Sequence, residues 1–121
     1  MSFRWIYDII NPYIFIISYR AEIHNTNQKG LLPLLKRVKE KFPEKDIWCY
    51  TGYTFDKDVV GKMFKNWEET KELVSYIDVM IDGKFEEDKK DLNLKFRGSS
   101  NQRIIDVKES LKVHKIIPYD V

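Results

Sequence analysis

The clearest strand pattern in the chain lies at residues 77–81. Three β-branched side chains, Ile77, Val79 and Ile81, recur there at every second position, a spacing that is typical of a strand. An Asp-Gly pair follows directly and is a turn signal. In an open α/β sheet, ligands bind at the carboxyl ends of the strands, so the polar residues after this strand are candidates for a binding edge.

Four further segments predict strands. Residues 13–19 form a continuous apolar run that fits a buried strand, and residues 46–50 form a second short strand. Residues 103–107 predict another strand. Residues 115–119 predict an edge strand, because Pro118 lacks the N–H that a central strand needs.

Residues 30–42 predict the most regular helix, preceded by an irregular polar segment at residues 20–30. The apolar residues recur at helical spacing, and basic residues fall late, where the helix dipole favours them. Pro33 is expected in the first turn, where its missing N–H leaves no bond unmade, and Pro43 ends the helix. The apolar stripe consists of Leu31, Leu34, Leu35, Val38 and Phe42.

Three other segments predict helical structure. Residues 55–76 begin with an apolar residue at every fourth position, and Gly61 and Asn66 suggest a break into two pieces. Residues 3–10 and 107–111 predict two shorter helices, of which the first carries its apolar residues on one face.

Strand, helix and strand in this spacing form a βαβ unit, which places its two strands in parallel. The expected fold class is therefore α/β, with a mostly parallel sheet and flanking helices. The chain has 121 residues, of which 43% are hydrophobic. That size fits a single domain over residues 1–121 with a modest core.

Composition narrows the possible partners. Charged residues make up 33% of the chain and nearly cancel to a net charge of +2, which argues against a nucleic-acid partner. No apolar run is long enough to span a membrane, and the signal-peptide pattern is missing, so we expect a cytoplasmic protein with no membrane partner. Cys49 is the single cysteine, which excludes an internal disulfide and a multi-cysteine metal site within this chain.

Polar residues follow the predicted strands in three places, at residues 51–53, 82–84 and 97–102. We expect the first two to share one edge of a parallel sheet and the third to reach that edge from its own connection. Ordinary turns are the competing interpretation, and spacing alone favours them. The candidate cofactor-binding residues, which offer charge, hydrogen bonds or close backbone approach, are Thr51, Gly52, Asp82, Lys84, Arg97, Ser99, Asn101 and Gln102.

The remaining reactive residue types predict no active site. His24 and His114 lie far apart in the sequence, without companions that suit a metal site, and are expected at the surface. Cys49 is expected as a small buried residue of its strand. Since no Ser/His/Asp or Cys/His arrangement is present, no catalytic residue and no metal ligand is predicted.

Three stretches, read together, resemble one family. They are Asp-Ile-Trp-Cys-Tyr-Thr-Gly-Tyr at residues 46–53, Ile-Asp-Val-Met-Ile-Asp-Gly-Lys-Phe at residues 77–85, and Phe-Arg-Gly-Ser-Ser-Asn-Gln-Arg-Ile-Ile-Asp at residues 96–106. Their order and spacing resemble the activating proteins of anaerobic ribonucleoside-triphosphate reductases, which are radical S-adenosylmethionine enzymes. The resemblance runs from about residue 30 to residue 111, and the Arg-Gly-Ser-Ser-Asn-Gln string is its most specific part.

The resemblance implies a partial (β/α) barrel and a [4Fe-4S] cluster that reduces and cleaves S-adenosylmethionine. The 5′-deoxyadenosyl radical formed in that way takes a hydrogen atom from a glycine of the reductase. The implied partners are therefore the large glycyl-radical subunit of the reductase and a reduced electron donor such as flavodoxin.

The chain departs from that family at both cofactor motifs. The family holds its cluster with a CxxxCxxC motif, whereas Cys49 is the only cysteine here. The family's Gly-Gly-Asp/Glu-Pro motif should precede the helix at residues 30–42, but Ser-Tyr-Arg-Ala-Glu-Ile-His stands at residues 18–24. We therefore expect a truncated, carboxyl-terminal portion that is inactive alone. The alternative is a non-catalytic α/β binding module that docks on the reductase.

A hypothesis about the gene accounts for the second departure. One synonymous choice of codons for residues 18–24 is TCT TAT CGG GCG GAG ATC CAT, and the same bases in another frame encode Leu-Ser-Gly-Gly-Asp-Pro. We expect two compensating frameshifts within residues 15–24 and a late start at Met1; a coincidental match is the competing interpretation. A truncated product would expose a strand edge, which favours association.

Overall fold

The computed structural model describes residues 14–19 and 25–120, except for the side chains of Phe15, Ser18, Tyr19 and residues 25–29. These ranges form a four-stranded sheet with helices packed on it. The strands lie side by side in chain order. They are β1 (Ile14–Tyr19), β2 (Asp46–Thr51), β3 (Val79–Asp82) and β4 (Arg103–Asp106).

The sheet is mixed rather than fully parallel. β1, β2 and β3 are mutually parallel, with Tyr50 opposite Ile81, whereas β4 is antiparallel to β3, with Asp82 opposite Arg103. A helical crossover returns the chain to the starting edge and makes parallel strands possible. The connection from β3 to β4 contains only one 3₁₀ turn, so β4 starts at the edge where β3 ends. The predicted α/β class and the mostly parallel pairing are confirmed.

The first helix, α1 (Asn25–Lys41), starts earlier than the sequence predicts. Residues 25–29 are helical instead of irregular, and Pro33 lies inside the helix rather than in its first turn, so both of those predictions are wrong. A proline removes one intrahelical hydrogen bond. Leu35 and Val38 are buried against the sheet, and such tertiary packing commonly overrides local propensity.

The helical region predicted at residues 55–76 divides into two bodies. The first is a π-helix (Phe55–Met63) that runs into one α-helical turn (Phe64–Asn66). Trp67 is extended, with φ −138° and ψ 117°, and a second α-helix, α2 (Glu68–Ser75), follows. The break predicted at Asn66 is therefore confirmed.

The π-helix runs through Gly61, so the break predicted at that residue is wrong. Its wide turns are visible in the N–H of Val59, which donates to the carbonyl of Thr54 five residues earlier at 3.0 Å. A Cβ at Gly61 would stand 3.0 Å from the carbonyl oxygen of Asp56. Glycine removes that contact, which is why the residue fits inside the helix rather than ending it.

The rest of the chain follows the predicted order. A 3₁₀ turn (Glu87–Lys89) lies in the loop before β4, and α3 (Val107–Val113) follows β4 directly. The edge strand predicted at residues 115–119 is not formed as a strand; Pro118 alone makes an isolated antiparallel bridge to Ile105 of β4. The helix predicted at residues 3–10 lies outside the described residues. In the part of the chain that the structure describes, no helix has the length and apolarity needed to cross a membrane.

The two faces of the sheet differ in chemistry. The face under the helices is mainly aliphatic, and Leu35 and Ile47 are fully buried there. The opposite face is aromatic: the rings of Phe96 and Tyr119 stand edge-on to Trp48, with centroids 5.3 Å and 5.6 Å away. Because side chains alternate along a strand, β2 contributes side chains to both faces. Polar side chains lie at the two ends of the sheet.

Candidate functional site

The three polar stretches meet at the carboxyl edge of the sheet. β2 and β3 are adjacent and parallel, and the N–H of Gly83 donates to the carbonyl of Tyr53 at 2.9 Å. Gln102 Nε2 donates to the carbonyl of Gly83 at 3.0 Å, and Asn101 Nδ2 donates to the carbonyl of Lys84 at 2.8 Å. The structure therefore joins candidate residues from all three stretches into one continuous edge.

Asp82 anchors this edge from inside. Its side chain is 1% exposed and ends β3. Oδ2 accepts hydrogen bonds from the N–H of Phe55 at 2.7 Å and from Arg103 Nη2 at 2.5 Å, while Oδ1 accepts from Arg103 Nε at 3.0 Å. A buried carboxylate needs such partners to offset its lost hydration. Asp82 consequently ties the start of the π-helix and the start of β4 to the end of β3.

Arg103 is a residue of this edge that the sequence reasoning missed. Its Nη2 also lies 2.9 Å from Asp56 Oδ1, and that hydrogen bond holds the pKa of Asp56 below its usual value. The hydrogen bonds that Arg103 donates to Asp82 raise the pKa of Arg103 itself, so the guanidinium stays charged. The only signal for its role is its position opposite Asp82 in the antiparallel ladder, which cannot be read before the pairing is known.

The loop before β4 is built by its own side chains. Gln102 Oε1 accepts from the N–H groups of Gly98 at 2.9 Å and Ser99 at 3.2 Å, and Arg97 Nη1 donates to the carbonyl of Gln102 at 2.6 Å. Ser99 Oγ accepts from the N–H of Glu86 at 3.2 Å. The side chains of Arg97, Ser99 and Gln102 thus satisfy backbone groups of the loop, and this bracing explains why the string carries a specific pattern.

The eight candidate residues differ in their access to a ligand. Gly52 and Lys84 are exposed, and Arg97 and Asn101 are half-buried. Asn101 Oδ1 is buried and has no hydrogen-bond partner among the described residues, so it is an acceptor that a bound molecule could use. The candidates buried within the edge are Thr51, Asp82, Ser99 and Gln102.

Cys49 lies in the middle of β2 and faces the helix-covered core, where it is 1% exposed. Burial raises the pKa of its thiol from 9.0 to about 12. A metal is bound by the thiolate rather than the thiol, so this site disfavours the form that a cluster needs. Within the described ranges, no three His, Cys, Asp or Glu side chains are grouped as a metal site.

Comparison with known proteins identifies the chain's relatives. The family model described as "4Fe-4S single cluster domain" matches residues 8–105. An anaerobic ribonucleoside-triphosphate reductase-activating protein of Pasteurella multocida is 46% identical over 82 residues, which are 68% of this chain and 48% of that protein. The protein of that name from Escherichia coli K12 is 40% identical over 80 residues, 66% of this chain and 47% of its own. The resemblance stated from the sequence is confirmed.

The chain spans about half the length of the curated relatives it matches, and no solved structure matches it. The family description implies a [4Fe-4S] cluster, which proteins hold mainly with cysteine thiolates. The single cysteine of these 121 residues is buried mid-strand, so the residues present do not fit the cluster. By the match over residues 8–105, the chain nevertheless belongs to the 4Fe-4S single cluster domain family.

Proposed function

We propose that this chain is a portion of an activating protein for an anaerobic ribonucleoside-triphosphate reductase. The observation that carries the proposal is its 40–46% identity, over 80–82 residues, to proteins of that name. The packing of the three family-like stretches into one edge supports it, because a shared sequence pattern in an unrelated fold would leave them scattered. In the complete protein, we expect this sheet to form part of a (β/α) barrel.

The chemistry of the complete activating protein, in this proposal, is reductive cleavage of S-adenosylmethionine and formation of a glycyl radical on the reductase, with a reduced donor such as flavodoxin. Cluster thiolates would have to come from polypeptide outside these 121 residues, since Cys49 is buried and its thiol pKa is raised. The 121 residues alone are therefore inactive in radical formation.

The carboxyl edge is where we place the ligand in this proposal. Lys84 presents an exposed ammonium beside a braced loop, and Asn101 Oδ1 is a buried acceptor without a protein partner in the described ranges. S-adenosylmethionine ends in a carboxylate and an ammonium group, which suit a cation and an acceptor respectively. Gly52 allows close approach of the ligand to the backbone.

A second candidate function is a non-catalytic module that binds the reductase. The favouring observation is that hydrogen bonds within the protein hold the edge, since Asp82 and Gln102 both have partners there. An edge that is rigid in this way keeps its surface for a protein partner even when no cluster is present.

Iron analysis after anaerobic reconstitution tests the cofactor argument. We expect no stoichiometric iron and no absorption from a thiolate-held cluster, and the same result for the matched variant Cys49→Ala. About four irons per chain in the unmodified protein, lost in Cys49→Ala, would show that the buried thiol is a ligand after all.

Calorimetric titration with the large reductase subunit and with S-adenosylmethionine separates the two candidate functions. Binding of S-adenosylmethionine that weakens in Lys84→Glu supports the first, and binding of the subunit without S-adenosylmethionine supports the second. Lys112→Glu, an exposed residue in the last turn of α3, is the charge-matched control. If neither titrant binds, the proposed ligand edge and the proposed docking surface are both wrong for these 121 residues, whereas the family assignment, which depends on the sequence match, stands.

We also propose that residues 15–24 are read in a shifted frame, as the codon argument above predicts. The nucleotide sequence of the gene tests this directly. Codons for residues 18–24 that spell Leu-Ser-Gly-Gly-Asp-Pro in the shifted frame support the proposal. Any codon incompatible with that reading refutes it without bearing on the family.

A further inference from the structure

The loop between β3 and β4 presents the most exposed large apolar side chain among the described residues. Leu92 is 88% exposed, whereas Val113, in the last turn of α3, is 42% exposed. Single exposed apolar residues are common on protein surfaces, so exposure alone does not identify a contact. What distinguishes Leu92 is the structure of the loop that holds it.

A tight turn holds Leu92 at the tip of this loop. The N–H of Leu94 donates to the carbonyl of Asp91 at 3.3 Å, so Leu92 and Asn93 are the two central residues of the turn. The N–H of Asn93 also donates to Asp91 Oδ1 at 2.9 Å, which is the side-chain bond that aspartate commonly forms in turns. The backbone that carries Leu92 is therefore fixed from within the loop.

The base of the loop is fixed to the sheet. The N–H of Ser100 donates to the carbonyl of Lys89 at 2.9 Å, which joins the two sides of the loop. Phe96 has a φ of +67°, and its ring stands edge-on to the buried Trp48, with centroids 5.3 Å apart. A residue other than glycine keeps such a backbone angle only where its surroundings impose it. The tip therefore projects from a rooted loop.

A leucine held in this way is suited to bind a protein partner. An apolar side chain on a fixed backbone loses little conformational entropy when it binds, and an aliphatic side chain that fills a partner's pocket is a common anchor of an interface. Acidic and basic residues are equal in number over residues 86–97. A membrane surface, which attracts clusters of Lys and Arg, is therefore a poor match for this loop.

The position of the loop indicates what a partner bound there would face. The same loop carries Asn101, whose Nδ2 donates to the carbonyl of Lys84, and it ends at Arg103 on the carboxyl edge of the sheet. We propose that Leu92 inserts into an apolar pocket on the large subunit of the reductase and orients that subunit towards the edge where we place the ligand. This inference rests on the proposed function, which supplies the partner.

Calorimetric titration of the 121-residue protein with the large reductase subunit tests the proposal. We expect Leu92→Ser to raise the Kd by about tenfold or more, because an apolar side chain no longer fills the pocket. Leu92→Met, which keeps the apolar volume, should bind within about twofold of the unmodified chain. Val113→Ser removes an exposed apolar side chain from α3 and is the matched control, for which we expect an unchanged Kd. The midpoint of thermal unfolding should be the same in Leu92→Ser, since its side chain is almost fully exposed.

The outcomes separate this inference from the function on which it rests. If Leu92→Ser binds the subunit as tightly as the unmodified chain does, the inference is wrong and the reductase remains the partner. If the unmodified chain does not bind the subunit at all, the reductase is not a partner of these 121 residues, and the inference is wrong with it.

Photochemical cross-linking gives a second readout that does not depend on a change in Kd. A photoreactive leucine analogue is placed at position 92 in one sample and at position 113 in another, and each is irradiated with the large subunit. We expect a cross-link to the subunit from position 92 and none from position 113. A cross-link from position 113 alone would place the contact on α3 and overturn the proposal.

Discussion

Asp78 directly precedes β3 and Asp82 is its last residue, and each ties a neighbouring segment to the sheet. Asp82 is 1% exposed and takes two hydrogen bonds from Arg103 and one from the N–H of Phe55. The side chain of Asp78 is 19% exposed, and its Oδ2 accepts from the N–H of Ile47 at 2.9 Å and from Lys39 Nζ at 2.7 Å. The two carboxylates play the same role with different cations.

The difference between them shows how burial sets the dependence on a partner. The planar guanidinium of Arg103 contacts both oxygens of Asp82, and water has almost no access to that carboxylate, so nothing replaces a lost partner. Lys39 reaches one oxygen of Asp78 as a point charge, and solvent can take its place. We therefore expect the loss of a charged partner to lower the free energy of unfolding more at the carboxyl edge of the sheet than at the other end.

Asp82→Asn should have the largest effect in this comparison. Asparagine keeps the size of the side chain but removes the charge, and it turns an acceptor toward Arg103 into a donor. Since Arg103 is partly solvated and keeps Asp56, we expect the free energy of unfolding to fall by about 2–3 kcal/mol. Urea unfolding followed by circular dichroism measures this. A loss no greater than that of Asp78→Asn would remove the distinction between the two ends.

Cys49 lies between the two ends, and it predicts a pH dependence. Burial raises its thiol pKa from 9.0 to about 12, so the unfolded chain ionises first. The stabilisation from the neutral buried thiol is complete below about pH 9 and is lost as the pH rises towards 12. Above pH 9, the free energy of unfolding should fall by about 1.4 kcal/mol per pH unit more in the unmodified protein than in Cys49→Ala.

Comparing those two proteins in urea at pH 8 and pH 10 isolates the thiol, because every other titrating group is common to both. A difference between them that does not change with pH would mean that the thiol is accessible to water in the folded protein. That result would also reopen its candidacy as a ligand.

Asp78→Asn should cost less, about 1 kcal/mol. The amide oxygen can still accept from the N–H of Ile47, and Lys39 becomes solvated. Burial and then the charge of Asp78 raise the pKa of Asp46, so neutralising Asp78 also relieves a repulsion. The measurement is the same urea series, and a loss above that of Asp82→Asn would reverse the ranking.

Asp56→Asn should have the smallest effect. Asp56 meets Arg103 at 2.9 Å, but the side chain of Asp56 is 48% exposed and that of Arg103 is 40% exposed. A pair this accessible to solvent contributes at most about 0.5 kcal/mol. Because Arg103 keeps its pair with the buried Asp82, the variant measures how much the exposed pair with Asp56 adds to the free energy of unfolding. A loss comparable to that of Asp82→Asn would show that the exposed arm matters equally.

Much of the fold could be predicted because the relevant signals are local. The alternation at residues 77–81 and the apolar run at residues 46–50 predict β3 and β2 closely. The π-helix could not be predicted, because its apolar residues at every fourth position also fit an α-helix. Pro33 misled the assignment of the start of α1, since packing at later residues, rather than the proline, decides where the helix lies.

The candidate site was only partly predictable for a related reason. Turn residues after two parallel strands predict that Gly52 and Gly83 share an edge, and the register of β2 and β3 places them there. The role of Arg103 could not be predicted, since it depends on the antiparallel pairing of β4 with β3, which no local sequence pattern indicates. For the same reason, sequence reasoning chose Asp82 as a candidate ligand residue without seeing its partners inside the protein.

By itself, the sequence determined the α/β class, the order of strands and helices, and the family, because each depends on residues close together in the chain or on a preserved string. Only the tertiary structure decided which carboxylate is sealed from water and how Asp82 meets Phe55 and Arg103. Those two partners lie 27 and 21 positions away from Asp82. Hydrogen bonds of that range exist only after the sheet has formed and excluded water from the carboxylate.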